Sequence, residues 1–240
     1  GAVSGLGLGV AQAFADAGMR LALSYRNEAD RDAAAAWFAA NGHEAPLFCQ
    51  LDVQDRARFA EVANEVAAHF GDVHVLVNNA GTNRPKPLWE VTEADYDAVL
   101  DLNLKSAFFV AQACAKRLIE TGTSGSLIHI GSQMGHVGGP NRSLYCASKW
   151  ALEGMNKAMA LDLAPHGIRS NTIAPTFIAT PMTAPMLDDP AFKASVLSKI
   201  KLGRLGTVED LMGAVVFLAS DASALMTGTS LVVDGGWTAE

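Results

Sequence analysis

Hydrophobic and polar positions along the chain follow two patterns that alternate from one end to the other. Short apolar runs typical of buried parallel strands are followed by longer stretches with apolar residues spaced three and four apart, which is typical of amphipathic helices. The strand pattern covers residues 20–25, 45–50, 73–77, 126–130, 168–174 and 229–233. The helix pattern covers residues 10–17, 30–40, 54–70, 92–119, 144–164 and 207–220. This alternation predicts an α/β fold on a parallel sheet and, at 240 residues, a single domain over residues 1–240.

A glycine-rich turn opens the sequence and leads directly into the first helix. In Gly1-Ala2-Val3-Ser4-Gly5-Leu6-Gly7, the glycines permit positive φ and let a phosphate approach backbone N–H groups at the helix N-terminus. In a dinucleotide-binding unit such a turn follows a strand, so we expect roughly 5 to 10 further residues upstream of Gly1, the usual length of a strand. Taken alone, the segment is equally compatible with a flexible turn.

Polar residues at the ends of the next two strands are candidates for reading the adenosine part of a dinucleotide. After the first strand, an acidic residue would bind the ribose 2′-hydroxyl of NAD, whereas a basic residue accommodates the 2′-phosphate of NADP. Arg26 stands there and favours NADP over NAD, although Glu28 and Asp30 lie nearby and a solvated loop arginine is the alternative. Asp52 follows the next strand and either caps the following helix or contacts an adenine edge.

Two further strand ends carry small and polar residues. Asn78-Asn79-Ala80-Gly81 follows one strand and Gly131-Ser132 another, and open α/β sheets bind ligands at the edge where such ends meet. Asn103 lies inside a predicted helix between two leucines, so we expect its amide to turn inward, where it needs partners. We therefore predict a ligand-binding site at this edge of the sheet, where the carboxyl ends of the strands meet.

Substrate contacts are predicted in two loops near this edge. Arg84 and Lys86 lie in an irregular, proline-stiffened segment and are either substrate contacts or surface charges. The loop that follows Ser132 offers Gln133 and Arg142. Residues 176–205 are weakly periodic and rich in Met and Pro, which predicts a mobile lid over the site, although its apolar side chains are equally compatible with core packing.

Tyr145 and Lys149 form the candidate chemical centre. They are four residues apart in a predicted helix and therefore share one face. Lowering a tyrosine pKa from about 10 to about 7 requires roughly 4 kcal/mol, which a unit charge about 4 Å away supplies at an effective dielectric of about 20. Lys149 is thus expected to lower the Tyr145 pKa, so that Tyr145 acts as a general acid or base. Most such pairs taken alone are surface residues.

Composition and net charge indicate which partners and which cellular location to expect. The net charge of −7 argues against nucleic acid or an anionic membrane as a partner. The three cysteines form no C-x-x-C pair, and no His cluster accompanies them, so neither disulfides nor a metal site is predicted and a reducing, cytoplasmic location fits. No apolar run of about 18 residues was identified, and a soluble protein is expected.

Taken together, these motifs resemble the classical short-chain dehydrogenase/reductases over essentially the whole chain. The matching elements, in that family's order, are Gly1 to Gly7, Asp52, Asn78-Asn79-Ala80-Gly81, Asn103, Ser132, Tyr145-x-x-x-Lys149 and Asn171-x-x-x-Pro175. The resemblance implies a Rossmann fold, a doubly wound parallel sheet of seven strands in a three-layer αβα arrangement, with the first strand missing from this sequence. It also implies a homotetramer formed through helix pairs and the final strand.

The resemblance further implies a catalytic set and a cofactor site. Tyr145 would exchange a proton with the substrate oxygen, Ser132 would hold that oxygen, Lys149 would lower the Tyr145 pKa and bind the nicotinamide ribose, and Asn103 would position a water. The implied cofactor-binding residues are Gly1, Ser4, Gly5, Leu6, Gly7, Arg26, Asp52, Val53, Asn79, Ala80, Gly81, Tyr145, Lys149, Pro175, Thr176, Ile178 and Thr180. Thr176 departs from the family pattern, which has glycine there.

These observations lead to one leading function and two alternatives. The leading hypothesis is an NADP- or NAD-dependent dehydrogenase acting on a hydroxyl or ketone of a small polar compound such as a sugar, sugar acid or polyol. A reductase similar to the 3-oxoacyl-carrier-protein reductases is the second hypothesis. The third is a catalytically silent nucleotide-binding regulator, since a fold alone does not establish activity.

Overall fold

The computed structural model describes residues 1–239 and confirms the alternating α/β pattern. The strands are β1 (Ala22–Tyr25), β2 (Leu47–Gln50), β3 (Val75–Asn78), β4 (Gly125–Ile130), β5 (Ile168–Pro175) and β6 (Ser230–Val233). The helices are α1 (Gly5–Asp16), α2 (Glu28–Ala40), α3 (Arg56–Phe70), α4 (Glu93–Leu100), α5 (Ser106–Thr121), α6 (Ser143–Leu163), α7 (Ala184–Leu187), α8 (Pro190–Lys199) and α9 (Glu209–Ala219).

All strand pairs are parallel, but within residues 1–239 they form two separate groups. β1 pairs with β2, and β3, β4, β5 and β6 pair in that order. A cavity of about 490 Å³ lies between β1 and β3, with residues of both strands and of α1 in its lining. Residues 1–239 thus form six strands in two groups, where the resemblance implied a sheet of seven strands.

Helices cover both faces of the sheet. On one face, α1 and α9 pack against Ile128 and Ile173, with Val215 and Leu218 of α9 fully buried. On the other, α5 and α6 pack against Leu127 of β4. Adjacent residues of one strand thus point to opposite apolar layers, as expected for a parallel strand buried on both sides. The result is the three-layer, Rossmann-like architecture implied by the sequence.

A π-helical turn, Asp101–Lys105, joins α4 and α5 into one continuous helical segment. This segment, Glu93–Thr121, is long and apolar enough by length and composition to cross a membrane. No uninterrupted apolar run of that length was predicted from the sequence, and Lys105, Lys116 and Arg117 interrupt the apolar residues of this segment. Part of the segment lies in the core, because Ala111 and Leu118 are buried against β4. A core helix of an α/β protein satisfies the same length and composition test.

The segment predicted as a lid contains more regular structure than its weak periodicity indicated. α7 and α8 lie within residues 176–205, and Asp189 caps α8 by accepting a hydrogen bond from the Ala191 N–H (2.9 Å). Val196 of α8 is buried, and the ring of Phe177 stacks on Trp237 at a centroid distance of 5.7 Å. Aromatic contacts to a distant part of the chain, which periodicity does not reveal, hold this segment in place.

Candidate active site

Tyr145 and Lys149 lie one turn apart on α6, at the carboxyl ends of the central strands. Lys149 is buried, and its Nζ donates a hydrogen bond to the Ile130 carbonyl at the end of β4 (2.7 Å). The Nζ atom lies 5.6 Å from the centroid of the Tyr145 ring. The shared face predicted from the sequence is therefore present, with the ammonium anchored to the sheet.

The pKa values of this pair differ from the sequence expectation. Burial lowers the pKa of Lys149 to about 8, and the nearby Glu153 carboxylate partly opposes this. Burial raises the pKa of Tyr145 above its ordinary value, and this outweighs the lowering by a hydrogen bond with Ser132 and by the positive charge of Arg142. In this structure the Tyr145 pKa is therefore raised rather than lowered, because desolvation of the phenol dominates and the Lys149 ammonium is directed at a backbone carbonyl.

Ser132 lies immediately after β4 and meets Tyr145 as expected. Its Oγ accepts a hydrogen bond from the Met134 N–H (3.1 Å) and thereby caps the short 3₁₀ turn Gln133–Gly135. The Ser132 hydroxyl also lies 3.4 Å from Gln133 Oε1, with Gln133 fully buried. The turn fixes the serine hydroxyl beside the phenol.

Asn103 occupies the π-helical turn between α4 and α5, whereas the sequence predicted an uninterrupted α-helix. Its Oδ1 accepts a hydrogen bond from the Thr82 N–H (2.7 Å), and its Nδ2 donates to the Thr82 carbonyl (2.9 Å) and to Ser148 Oγ (3.0 Å). The inward amide and its need for partners were predicted. A π-turn is common at functional sites, and here it turns the amide toward α6 and the loop after β3.

Glu153 is a buried carboxylate that the sequence analysis missed. Its Oε2 accepts a hydrogen bond from Thr172 (2.8 Å), its Oε1 accepts one from Ser230 (3.3 Å), and His136 Nε2 lies 3.6 Å from Oε1. It lies one turn beyond Lys149 on α6. That spacing of four, repeated from Tyr145 through Lys149, was the signal that could have identified it.

The glycine-rich turn suits a phosphate. Gly5 adopts φ +51° as it enters α1, and a Cβ on Gly7 would collide with the Gly1 carbonyl, so both positions require glycine. Ser4 is the N-cap residue, yet its side chain makes no capping hydrogen bond in the part of the chain that the structure describes. Backbone N–H groups at this end of α1 therefore remain for an anion, which fits a dinucleotide pyrophosphate.

Residues after β3 lie against this turn. Asn79 Nδ2 donates a hydrogen bond to the Gly1 carbonyl (2.9 Å). Gly81 lies beside Asn103, because a Cβ there would be 3.4 Å from Asn103 Oδ1. Asn79, Ala80 and Gly81 thus connect the turn before α1 to the Asn103 cluster.

Arg26 and Asp52 meet at the ends of β1 and β2. Their side chains are 3.6 Å apart and largely exposed, and Asp52 also accepts a hydrogen bond from the Gln54 N–H (3.0 Å). The expected capping of α3 by Asp52 is wrong, because Asp55 is the cap and accepts from the Arg58 N–H (3.0 Å). Val53, which follows Asp52, is half-buried.

The end of β5 presents an unsatisfied hydroxyl. Thr176 donates its backbone N–H to the Val233 carbonyl (3.2 Å), but its buried Oγ1 has no hydrogen-bond partner among residues 1–239. A buried polar atom without a partner is costly and calls for one, such as a bound ligand. Pro175 and Ile178 are buried beside it, and the Thr180 N–H donates to Thr183 Oγ1 (3.1 Å).

Arg84 and Lys86, which were predicted to be substrate contacts or surface charges, form ion pairs with Asp95. Arg84 Nη1 lies 3.3 Å from Asp95 Oδ1, and Lys86 Nζ lies 2.6 Å from Asp95 Oδ2. Asp95 is also part of the capping box at the start of α4. Lys86 and Arg84 hold the pKa of the Asp95 carboxyl well below its usual range. Their charges are already paired with a carboxylate of this chain, which removes the observation that favoured substrate contact.

Arg142 lies at the N-cap of α6 and reaches the predicted lid. It is buried, its Nη2 is 3.3 Å from Met186 Sδ of α7, and its guanidinium lies 5.8 Å from the centroid of Phe192 of α8. The structure therefore brings together Ser132, Tyr145, Lys149, Asn103 and Arg142, while Arg84 is held at α4.

Comparisons with known proteins agree with this geometry. A family model described as enoyl-(acyl carrier protein) reductase matches residues 1–238. The chain is similar to D-threitol dehydrogenase of Mycolicibacterium smegmatis, with 38% identity over 240 residues covering 99% of this chain and 90% of that protein. It is also similar to 3-oxoacyl-acyl-carrier-protein reductase of Escherichia coli, with 34% identity over 236 residues covering 98% of this chain and 94% of that protein.

A solved structure extends the comparison. Gluconate 5-dehydrogenase from Burkholderia cenocepacia, in complex with NADP and tartrate, matches with a TM-score of 0.94 at 35% identity. The match covers 100% of this chain and 93% of that chain.

Proposed function

The chain belongs to the classical short-chain dehydrogenase/reductase family, and on that premise we propose that it oxidises a hydroxyl or reduces a ketone of a small polar substrate. The substrate class is a sugar, sugar acid or polyol. The observation that carries the proposal is the cluster of Tyr145, Ser132, Lys149 and Asn103 at one edge of the sheet. The relatives named for threitol and gluconate support it.

The bound nicotinamide cofactor would accept or supply the hydride, which is chemistry that side chains do not provide. Tyr145 exchanges a proton with the substrate oxygen, and Ser132 holds that oxygen through its hydroxyl. Lys149 binds the nicotinamide ribose and supplies positive charge beside the phenol. Asn103 fixes the loop after β3 against α6 and, as the family pattern implies, positions a water near Lys149.

The cofactor is NAD(P), with NADP favoured. Arg26 at the end of β1 suits a 2′-phosphate, and the similar gluconate 5-dehydrogenase structure contains NADP. The glycine-rich turn receives the pyrophosphate, and Thr176 Oγ1, buried without a partner among the described residues, contacts the nicotinamide end. The other proposed cofactor contacts are Asp52, Val53, Asn79, Ala80, Gly81, Pro175, Ile178 and Thr180.

Residues 176–205 act as the lid of this single domain. α7 and α8 cover the substrate side of Tyr145 through the contacts of Arg142 with Met186 and Phe192. Substrate entry then requires this segment to move, while the sheet and α6 stay in place.

A homotetramer is part of the proposal. The helices α5 and α6 expose apolar side chains, including Phe108, Trp150 and Leu161, and β6 exposes Val232. Exposed apolar surface of this kind is typical of interaction sites. Light scattering that gives a mass near four chains supports the assembly, and a monomer mass contradicts it.

An initial-rate assay with NADP(H) and NAD(H) tests the function. The substrates are gluconate, threitol and an acetoacetyl thioester, because the similar 3-oxoacyl-acyl-carrier-protein reductase makes thioester reduction the second candidate. Turnover of the thioester alone would exclude the sugar and polyol class.

Tyr145→Phe distinguishes an enzyme from a silent nucleotide-binding protein. It removes the proton-transferring hydroxyl but keeps the ring, so we expect kcat to fall by about 1,000-fold, within the range that general acid–base catalysis contributes. Cofactor affinity, measured by NADPH fluorescence, should change by less than about threefold. Near-normal turnover would contradict the assignment of Tyr145.

A further inference from the structure

Arg142 carries a buried charge that no carboxylate of the described chain neutralises. The residue is 7% exposed, and burial lowers the pKa of its guanidinium. Among residues 1–239 its hydrogen-bond partner is a methionine sulfur, a weak acceptor, and its other contact is the ring of Phe192. Buried charges are normally paired with an opposite charge, and no carboxylate of residues 1–239 pairs with this guanidinium.

Other arginines of the chain are satisfied within the chain. Arg31, Arg58 and Arg204 each form a short ion pair with a carboxylate. Arg169, the other arginine whose pKa burial lowers, donates to the backbone carbonyls of Leu218 and Ser220. Arg142 is buried and has neither kind of oxygen acceptor in the described structure, so its donors remain for a ligand.

The position of Arg142 indicates which ligand it binds. It precedes Tyr145 by three residues at the start of α6, and its charge acts on the phenol. Its contacts with Met186 and Phe192 place the guanidinium under α7 and α8, between the lid and the reacting hydroxyl. A substrate oriented with its reacting carbon at Tyr145 would therefore extend toward this guanidinium.

We propose that Arg142 binds the carboxylate of the substrate, so that this enzyme acts on a hydroxy acid or keto acid of the sugar-acid class rather than on a neutral polyol or a thioester. The proposal rests on the proposed function. In the oxidation, the hydroxyl carbon loses a hydride to the nicotinamide cofactor and the hydroxyl proton to Tyr145, and a ketone forms. The carboxylate is unchanged, and it holds the substrate through the two parallel N–H groups of the guanidinium fork.

Ligand binding without turnover provides the first test. L-tartrate and D-gluconate, added with NADP⁺, should raise the melting temperature of the wild-type protein, whereas threitol at the same concentration should not. Arg142→Gln should abolish the carboxylate shift and Arg142→Lys should keep part of it, since lysine retains the charge but loses the fork. Arg117→Gln, on the exposed part of α5, is the control and should respond like wild type.

Steady-state kinetics provide the second test. For gluconate oxidation, Arg142→Gln should raise KM by about 100-fold with a smaller change in kcat, because a charge-assisted bidentate contact is lost from binding. KM for threitol should change by less than about threefold in the same variant, because threitol has no carboxylate. Far-UV circular dichroism and the melting temperature without ligand establish that each variant is folded, and Arg142→Lys takes the place of Arg142→Gln if the latter does not fold.

The two tests separate failure of this inference from failure of the proposed function. Equal binding of carboxylates by wild type and Arg142→Gln, or a thermal shift given by inorganic phosphate and not by carboxylates, overturns the carboxylate assignment. Absence of turnover with every substrate, together with a carboxylate shift that depends on Arg142, overturns the enzymatic proposal and leaves the carboxylate site standing.

Discussion

The two ends of the proposed cofactor edge are built in opposite ways. Near β1 and β2, Arg26 and Asp52 have side chains that are 65% and 43% exposed and lie 3.6 Å apart. Near β4 and β5, Asn103, Lys149 and Glu153 are buried, and their hydrogen bonds include distances of 2.7 and 2.8 Å. One end consists of exposed charges that water also solvates, and the other of buried polar groups with partners in the chain.

This contrast indicates where substitutions cost little stability. Exposed ion pairs contribute little to the free energy of unfolding, so exchange of Arg26, the proposed 2′-phosphate contact, should have a small structural cost. Buried polar groups that lose a partner pay the full cost of desolvation, so the catalytic end depends on each member of its network. Proton transfer needs this fixed geometry, whereas discrimination between cofactors needs only a local charge.

Among the variants that test this contrast, Asn103→Leu should have the largest effect, because it leaves the Thr82 N–H and carbonyl without their side-chain partner and removes one partner of Ser148. We expect the free energy of unfolding to fall by about 3 kcal/mol, from the lost hydrogen bonds and unsatisfied groups. We also expect kcat to fall by about 100-fold, because misplaced catalytic groups lose orientation. Urea denaturation and initial rates measure the two effects.

The control for Asn103→Leu is Asn41→Leu at the exposed C-terminus of α2, where the amide donates a hydrogen bond to the Trp37 carbonyl. It should cost less than about 1 kcal/mol. Similar losses from both variants would show that burial of the Asn103 amide is not the cause.

Arg26→Asp should change cofactor preference with little loss of stability. The new carboxylate repels a 2′-phosphate and suits a 2′-hydroxyl, so KM for NADP should rise by about tenfold or more, while KM for NAD changes by less than about threefold. KM measured with both cofactors and a saturating substrate tests this. Arg117→Asp is the distant control, and an equal effect of Arg26→Asp on both cofactors would refute the 2′-phosphate role.

Glu153→Gln should have the smallest effect and should appear in the pH profile. The Glu153 carboxylate raises the pKa of Lys149, which burial lowers to about 8. Its removal lowers that pKa further, so the ammonium is lost at lower pH and the alkaline decline of kcat/KM moves to lower pH. A fall of the Lys149 pKa from about 8 by about one unit reduces the ammonium fraction at pH 8 by about fivefold. We expect kcat/KM at pH 8 to fall by the same factor.

One histidine lies near Glu153 and another near Lys149. His136 lies 3.6 Å from the carboxylate, and the pKa of the buried His129 is lowered to about 4, so His129 stays neutral. The position of the alkaline limb in His136→Gln measures the contribution of His136 to the pH profile. Glu120→Gln, on the exposed end of α5, is the matched control. An alkaline limb that does not move in Glu153→Gln would show that this carboxylate does not act on Lys149.

The local pattern of hydrophobic and polar residues predicted much of the fold. The elements that it did not predict depend on tertiary contacts. The helix start at residue 92 was predicted from the sequence, and the structure has a capping box there, formed by Thr92 and Asp95. The cap of α3 was misassigned, because Asp52 and Asp55 are both plausible caps in sequence and only the backbone path after β2 decides between them. α7 and α8 were missed because Phe177, Phe192 and Trp237 hold that segment through aromatic contacts with distant residues.

The alternation of strands and helices, the glycine-rich turn and the spacing of Tyr145 and Lys149 could be predicted, because they depend on neighbouring residues and on the period of each element. Three features became visible in the folded chain alone. Arg84 is paired with Asp95, Glu153 lies one turn from Lys149 and accepts a hydrogen bond from Thr172, and Arg142 is buried without a carboxylate partner among the described residues. The partner and the desolvation of a charge depend on which distant elements pack around it, and that information is spread over the whole chain.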